Sequence, residues 1–338
     1  MHALHIRVLV LLAVLSIMPH GISQAQQGPL GRPVSTYSIV ARDASTGEMG
    51  VAVQSHWFSV GSIVTWAEAG VGAVATQSFV EPAYGPLGLE LMKTGRTASQ
   101  ALQALISTDD GEAVRQVAMV DASGNVAAHT GSSAIIAAGH HVGDQYSVQA
   151  NMMEHDTVWP AMARAFEETE GDLADRMLAA LDAAQAEGGD IRGKQSAAIL
   201  IVPGTSTGRP WADKTFDLRI EDHPDPLGEL RRLVTMQRAY NAMNAGDGYM
   251  TTGDVDSAIR SYEYAMSLLP DEATNGEAPF WVGVTLASVG SVDQAVPFLQ
   301  RASALDARWI ELLRRLPASD LLPDDDALID RLVAAMER

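Results

Sequence analysis

The residues best suited to chemistry surround a glycine turn in the second half of the chain. Gly188-Gly189 is followed by Asp190, Arg192, Gln195 and Ser196, and an apolar run then begins. A guanidinium binds a carboxylate through two parallel N–H groups, so Arg192 with Asp190 is a candidate for holding a substrate carboxylate. Gln195 and Ser196 are candidates for contacting the same substrate. The alternative is a structural turn in which Asp190 accepts hydrogen bonds from backbone amides.

Three side-chain amides, Gln77, Gln149 and Asn151, form a second group of candidates. An amide N–H can donate to an oxyanion or to a polar group of a substrate. We therefore predict that these three residues bind substrate. The alternative is that they hydrogen-bond to the ends of strands.

The histidines give a weaker pattern. His56 opens a bulky His-Trp-Phe loop that could wall a pocket, whereas His140-His141 and His155-Asp156 lack the fixed spacing of zinc ligands. Gly70-Val71-Gly72 lacks the third glycine and the following helix of a dinucleotide fingerprint. We predict no metal and no cofactor.

The elements that must position these residues alternate between strand pairs and helix pairs. Strands are predicted over residues 36–41, 49–54, 62–67, 71–76, 114–120, 126–129, 196–202 and 216–220. Helices are predicted over residues 87–94, 98–107, 158–168 and 173–186. This order indicates an α+β fold, with antiparallel sheets covered by helices, and does not fit alternating βαβ units.

The C-terminal third is helical by pattern and contains a repeat. A helix over 227–242 precedes two sets of residues at the spacing of tetratricopeptide units, whose period is about 34 residues. The first set is Gly246, Tyr249, Gly253, Ala258, Tyr262, Ala265 and Pro270, and the second is Gly283, Leu286, Gly290, Ala295, Leu299 and Ala302. The repeats could cap the main domain or offer a groove to a protein partner.

Charge and the first residues bear on partners and compartment. The formal net charge is −19, from 23 Lys and Arg against 42 Asp and Glu, which argues against nucleic acid as a partner. Residues 1–25 have the pattern of a cleaved signal peptide: Arg7, an apolar run over 8–18, and small residues before Ala25. An uncleaved anchor is the alternative, although the run is short for one. The chain has no cysteine to carry a lipid, so we predict a secreted or periplasmic protein.

Several motifs between residues 35 and 235 occur in a fixed order. They are TYSIVARD (36–43), GVAVQS (50–55), AGVGAVATQ (69–77), YGPLGL (84–89), RQV (115–117), GGDIRGKQSAA (188–198) and DHPDP (222–226). Together they resemble the domain of unknown function 1028 family. That family is assigned to the N-terminal-nucleophile (Ntn) hydrolase fold, so the resemblance implies an αββα four-layer sandwich like that of proteasome subunits.

The resemblance also implies a nucleophile. In Ntn hydrolases the first residue of the mature chain attacks with its side chain, and its free α-amine, with a pKa of about 7.7–8.0, accepts the proton. Thr36 stands at the matching position, with Asp190 and Arg192 near it to orient the amine. Here Ser35 and the leader 26–34 precede Thr36 after signal cleavage. Either a second cleavage exposes Thr36, or Thr36 is a β-branched residue of a strand.

The sequence thus predicts four segments: a signal peptide (1–25), a leader (26–34), an Ntn-hydrolase-like domain (35–222) and a tetratricopeptide-like region (223–338). The predicted function is hydrolysis of an amide bond in a small molecule or peptide, with Thr36, Asp190 and Arg192 as catalytic residues. One alternative is a non-catalytic extracytoplasmic protein that binds a ligand in the cleft and a partner through the repeats. Another is a structural component of an envelope assembly, and self-association stays open.

Overall fold

The computed structural model describes residues 33–338 and has a mixed α+β fold with two sheets and a helical C-terminal region. The predicted signal peptide and the leader up to residue 32 lie outside the described residues. The strands are β1 (Thr36–Arg42), β2 (Met49–Ser55), β3 (Thr65–Glu68), β4 (Gly72–Ser78), β5 (Arg115–Asp121), β6 (Val126–Thr130), β7 (Gly139–Gly143), β8 (Tyr146–Asn151), β9 (Ser196–Val202) and β10 (Phe216–Ile220). One sheet has the order β10-β9-β2-β1-β8-β7 and the other β3-β4-β5-β6, and all the pairs are antiparallel.

Helices cover the outer faces of both sheets. The helices of the first part of the chain are α1 (Gly61–Val64), α2 (Tyr84–Lys93), α3 (Ala98–Ile106), α4 (Val158–Glu168) and α5 (Leu173–Ala186), and of these α1 packs in the core between the sheets instead. Tyr37 and Ile39 of β1 pack in one core with Phe166 of α4 and Leu181 of α5. Met119 of β5 packs with residues of α2 and α3 on the far side of the other sheet. The predicted α+β class is confirmed.

A third core fills the space between the two sheets. Because successive side chains of a strand point to opposite faces, Val40 of β1 turns away from α4 and α5, and it joins Val51 and Val53 of β2 in that space. Ala73 and Ala75 of β4 close this core from the opposite sheet, where their small side chains allow a close approach. Thr36 and Ser38 share the Val40 face of β1, so their side chains also lie between the sheets.

Two parts of the main domain differ from the sequence prediction. The strand predicted over 62–67 divides into the short helix α1 and the strand β3, with Val64 of α1 buried. Strands β7 and β8 were not predicted. Strand β7 lies at the sheet edge, and His140 and His141 within it are exposed.

The C-terminal region consists of six helices and two short 3-10 turns in the described chain. The helices are α6 (Pro226–Thr251), α7 (Val255–Leu268), α8 (Glu277–Ser288), α9 (Val292–Leu305), α10 (Arg308–Arg315) and α11 (Asp326–Met336). Helix α6 is continuous, whereas the sequence predicted a helix over 227–242 and a separate one beginning the repeat. Leu230 and Val234 of α6 belong to the core of the main domain, and Met243 belongs to the core of the C-terminal region.

Two helix pairs of this region approach closely at glycines. A Cβ on Gly246 of α6 would lie 2.8 Å from the Tyr262 ring of α7, and one on Gly283 of α8 would lie 2.5 Å from Leu299 of α9. Real Cβ atoms almost never come so near another atom, so both positions require glycine for this packing. In residues 33–338 we find no helix with the length and apolar character needed to cross a bilayer.

Candidate functional site

The candidate site lies where β1 begins, between its two neighbours in the six-stranded sheet. Thr36, the first residue of β1, stands opposite Ser55 of β2 and opposite Asn151 of β8. Val34, two residues earlier, forms a bridge with Ser78 at the end of β4 in the other sheet. The chain preceding Thr36 is therefore held by both sheets.

Five buried polar side chains fill this end of the space between the sheets. We call them the amide cluster: Ser38, Gln77, Gln116, Gln149 and Asn151. The Gln77 amide donates to Gln116 Oε1 at 2.7 Å, and Asn151 donates to the same oxygen at 3.0 Å. The Ser38 hydroxyl donates to Gln77 Oε1 and accepts from the Gln149 amide, each at 2.6 Å. The cluster is a connected network, as buried polar groups require.

Thr36 is buried beside this cluster. Its hydroxyl donates to the Val34 carbonyl at 2.9 Å. Its own carbonyl accepts from the amides of Gln77 (3.3 Å) and Asn151 (3.5 Å). Two of the three predicted substrate-binding amides, Gln77 and Asn151, thus donate to the main chain of Thr36 in the uncleaved protein, whereas the Gln149 amide donates to Ser38.

The carbonyl of Ser35, which precedes Thr36, accepts two hydrogen bonds from side chains. The Ser55 hydroxyl is one donor, and Nη2 of Arg192 is the other at 3.3 Å. The same guanidinium reaches the Pro33 carbonyl at 3.4 Å. The two donors converge on the carbonyl oxygen of the peptide bond that joins Ser35 to Thr36.

Asp190 orients this guanidinium from the turn before β9. Its carboxylate forms an ion pair with Arg192 at 2.9 Å and accepts from the backbone amides of His56 and Arg192, each at 2.9 Å. Asp190 therefore caps backbone amides, as the structural-turn interpretation predicts, and it also binds the guanidinium of Arg192. Gly188 and Gly189 precede it with φ of +98° and +67°, a region that glycine adopts without strain.

Tyr37 supports the same turn from the other face of β1. Its hydroxyl donates to Gln185 Oε1 at 3.0 Å and also contacts Gln54. Burial raises the pKa of Tyr37 well above its usual value, and the negative charges of Asp182 and Asp190 raise it further. The phenol therefore stays neutral at physiological pH.

Three buried polar atoms next to Thr36 have no hydrogen-bond partner among residues 33–338. They are Nδ1 of His56, Oγ of Ser78 and Oδ1 of Asn151. His56 directly follows Ser55, Ser78 pairs with Val34, and Asn151 pairs with Thr36. Buried polar atoms are rarely left unpaired, so this end of the sheet retains hydrogen-bonding capacity for a water or a ligand.

Two predicted substrate-binding residues have their side chains engaged elsewhere. Gln195 donates to Asp222 at 3.1 Å near the surface. The Ser196 hydroxyl accepts from the Val60 amide at 3.1 Å and contacts the Trp57 carbonyl, so it fastens the loop after β2. The structure does not bring either side chain onto Thr36.

Of the histidines that lack the spacing of zinc ligands, His140 and His141 lie on β7, and His155 follows β8. His140 Nδ1 is 2.8 Å from the Thr130 hydroxyl. His155 lies 3.9 Å from Glu154 near the surface. No group of three or more acidic or histidine side chains suited to a metal occurs in the described part of the chain.

Sequence reasoning missed Ser55, Ser38 and Gln116. Ser38 could have been found by strand alternation, since it lies two residues after Thr36 on the same face. Ser55 directly follows the strand predicted over 49–54, but its contact with Ser35 follows only from the pairing of β1 with β2. Gln116 lies opposite Thr130 in β6 and opposite Gln77 in β4, a placement that required the register of three strands.

Comparisons with known proteins place this geometry in a family. The model of the family of unknown function DUF1028 matches residues 36–230. The crystal structure of protein SPO2555 from Silicibacter pomeroyi, described with the same family, is similar at 32% sequence identity. The match covers 59% of this chain and 87% of that one, with a TM-score of 0.52. No curated protein matches the sequence.

Proposed function

The chain belongs to DUF1028, a family of unknown function, and within it we propose that this protein is an amide hydrolase whose nucleophile is Thr36. The proposal includes a cleavage between Ser35 and Thr36 that gives Thr36 a free α-amine. The observation that carries it is the pair of donors, Ser55 and Arg192, on the Ser35 carbonyl oxygen. Donors directed at a carbonyl oxygen stabilise the negative charge that develops there under attack.

The cleavage can be written with the residues present. Thr36 Oγ1 attacks the Ser35 carbonyl carbon, and the oxyanion is held by the Ser55 hydroxyl and the Arg192 guanidinium. The C–N bond then breaks, the Thr36 nitrogen takes the hydroxyl proton, and Ser35 remains attached to Oγ1 as an ester. Water hydrolyses this ester, which leaves a carboxylate on Ser35 and a free amine on Thr36.

Cleavage would also convert Thr36 into a nucleophile with its own base. In the uncleaved chain its hydroxyl donates to the Val34 carbonyl. When the segment before Thr36 leaves, this acceptor leaves with it, and the α-amine becomes the nearest acceptor for the hydroxyl proton. Ser55, Arg192 and the unpaired Asn151 Oδ1 would then face the space vacated by Ser35. The substrate of this site would be an amide in a small molecule or peptide.

The finer structural assignments belong to the same proposal. The order of helices, sheet, sheet and helices supports an Ntn-hydrolase sandwich, and the glycine contacts at Gly246 and Gly283 support tetratricopeptide-like pairs. We also propose a location outside the cytoplasm, on the signal-peptide pattern of residues 1–25.

The test is the N-terminus of the protein recovered from the exported fraction, by intact mass and N-terminal sequencing. We expect the wild type to begin at Thr36 and Thr36→Ala to keep the preceding residues. Thr46→Ala, in the exposed turn between β1 and β2, is the matched control and should begin at Thr36. The cleaved protein should then hydrolyse members of a panel of fluorogenic aminoacyl amides, and Thr36→Ala should not.

A non-catalytic binding protein is the second candidate. It is favoured by one observation: Thr36 is fully buried, and its nitrogen is locked in a peptide bond, in the described chain. Wild-type protein that begins near Gln26 and hydrolyses no amide on the panel would replace the hydrolase with this alternative.

A further inference from the structure

A second cleft lies away from Thr36, between the sheet and the C-terminal helices. Its volume is about 620 Å³, within the range of small-molecule sites. The sheet wall is lined by Glu48, which directly precedes β2, and by Thr215 and Phe216 where β10 begins. Helices α6 and α7 line the other wall.

The sheet wall carries one carboxylate without a cation. Glu48 accepts hydrogen bonds from the hydroxyls of Thr215 at 2.9 Å and Thr46 at 3.5 Å. Neither donor is charged, and among residues 33–338 no basic group lies within ion-pair distance of Glu48. The Thr215 contact fixes one carboxylate oxygen at the cleft.

The helix wall carries one guanidinium without a carboxylate partner. Arg260 of α7 donates to the Ser257 hydroxyl at 2.8 Å and forms no ion pair within the described chain. Its charge helps to lower the pKa of Asp254, after the larger effect of hydrogen bonds from Ser257, but the two do not form an ion pair. The other arginine of the cleft, Arg238, is neutralised by Asp172 at 2.6 Å and by Asp175 at 2.9 Å.

Apart from the charged residues and Thr215, the lining combines apolar and aromatic side chains with three neutral polar ones, Asn241, Ser257 and Ser261. Phe216, Ala242 and Ala245 contribute hydrophobic surface. Tyr249 and Tyr264 are 42% and 56% exposed, so their rings are accessible to a ligand in the cleft. A ligand that satisfied the whole cleft would have a cationic end, a hydrophobic middle and an anionic end.

We propose that this cleft binds a short peptide with free termini, its ammonium group at Glu48 and its carboxylate at Arg260. The hydrophobic side chain of the peptide would lie against Phe216 and the two tyrosines. The proposal does not depend on hydrolysis at Thr36, because none of the cleft residues contacts Ser35 or Thr36.

The test uses the tripeptide Ala-Phe-Ala and its two blocked forms, N-acetylated and C-amidated, in calorimetric titrations of the full chain. We expect saturable binding of the free peptide and a loss of about tenfold for each block, equivalent to about 1.4 kcal/mol. Arg260→Gln should weaken the free peptide about tenfold and abolish the effect of amidation. Glu48→Gln should likewise weaken the free peptide about tenfold and abolish the effect of acetylation. A thermal melt verifies that this variant folds.

Arg232→Gln is the matched control, since Arg232 is a surface arginine of α6 paired with Glu229 and outside the cleft. It should bind as the wild type does. The proposal is overturned if the free peptide shows no saturable binding at millimolar concentration, or if the blocked forms bind as tightly as the free peptide. Sensitivity to only one block also overturns it, because a zwitterionic ligand requires both. Titration of Thr36→Ala separates the two proposals, since it should bind the peptide unchanged whether or not the wild type hydrolyses amides.

Discussion

Ser55 is the residue whose removal tests the cleavage step most directly. Its hydroxyl donates to the Ser35 carbonyl oxygen, and the second donor, Arg192, lies at 3.3 Å from that oxygen. Loss of one donor to an oxyanion typically slows a reaction by about 10²–10³, or about 2.7–4 kcal/mol. We therefore expect Ser55→Ala to slow cleavage between Ser35 and Thr36 by that factor. Arg192 is a poorer choice, because its removal would leave the buried carboxylate of Asp190 unpaired.

The assay is a time course of intact mass after the uncleaved protein is purified and incubated at pH 8. The fraction of chains that begin at Thr36 gives the rate constant. Ser147→Ala is the matched control, since Ser147 is also buried between the sheets and donates one hydrogen bond, to Gln149 at 3.0 Å, without touching Ser35. It should cleave at the wild-type rate. Equal rates for Ser55→Ala and wild type, or equal slowing by Ser147→Ala, would refute the reasoning.

Two further predictions concern stability. A Cβ on Gly85 would lie 2.2 Å from the Trp66 ring, so Gly85→Ala should destabilise the protein by about 1–3 kcal/mol in denaturant titrations, whereas Gly248→Ala, with open space around it, should be neutral or stabilising by up to about 1 kcal/mol. Asp109 is partly buried, which raises its pKa, but hydrogen bonds from Arg115 and the Gly111 amide lower the pKa below its ordinary value overall. The carboxylate therefore stabilises the fold at neutral pH, and this contribution is lost as the pH falls through the depressed pKa. Asp109→Asn should lower the free energy of unfolding by about 1–2 kcal/mol at pH 7, allowing for partial exposure. A difference in unfolding free energy between wild type and Asp109→Asn that stays constant down to pH 2 would contradict this.

Local patterns were enough to predict the strands that carry Thr36. Two strand-like runs joined by a polar turn predicted strands over 36–41 and 49–54, and the structure has Thr36–Arg42 and Met49–Ser55. The neighbouring strand β8 was missed, although its sequence alternates between apolar and polar residues. Its polar face, which includes Gln149 and Asn151, is buried against the other sheet, so the usual association of polar side chains with solvent fails there.

The candidate site was predicted in part for a related reason. Thr36 was named from the family resemblance, and Asp190 and Arg192 from the glycine turn together with that resemblance. The structure brings Arg192 to the Ser35 carbonyl across 157 residues of sequence. The role of Ser55 depends on its hydrogen bond to Ser35, 20 residues earlier in the sequence. Only the register of β1 and β2 brings these two residues together. The orientation of the Gln195 side chain could not be predicted from sequence, because it is set by a hydrogen bond to Asp222.

The continuity of α6 has a mechanical consequence for the cleft. Its first turns are anchored in the main-domain core through Leu230 and Val234, whereas Tyr249 lies 15 residues beyond Val234 at the cleft. At 1.5 Å per residue this span is a lever arm of about 22 Å. A bend of about 10° beyond Val234 displaces Tyr249 by about 4 Å, roughly the thickness of an aromatic ring. A bend in this one helix would therefore change the width of the cleft, and a ligand that fills the cleft would oppose that bend.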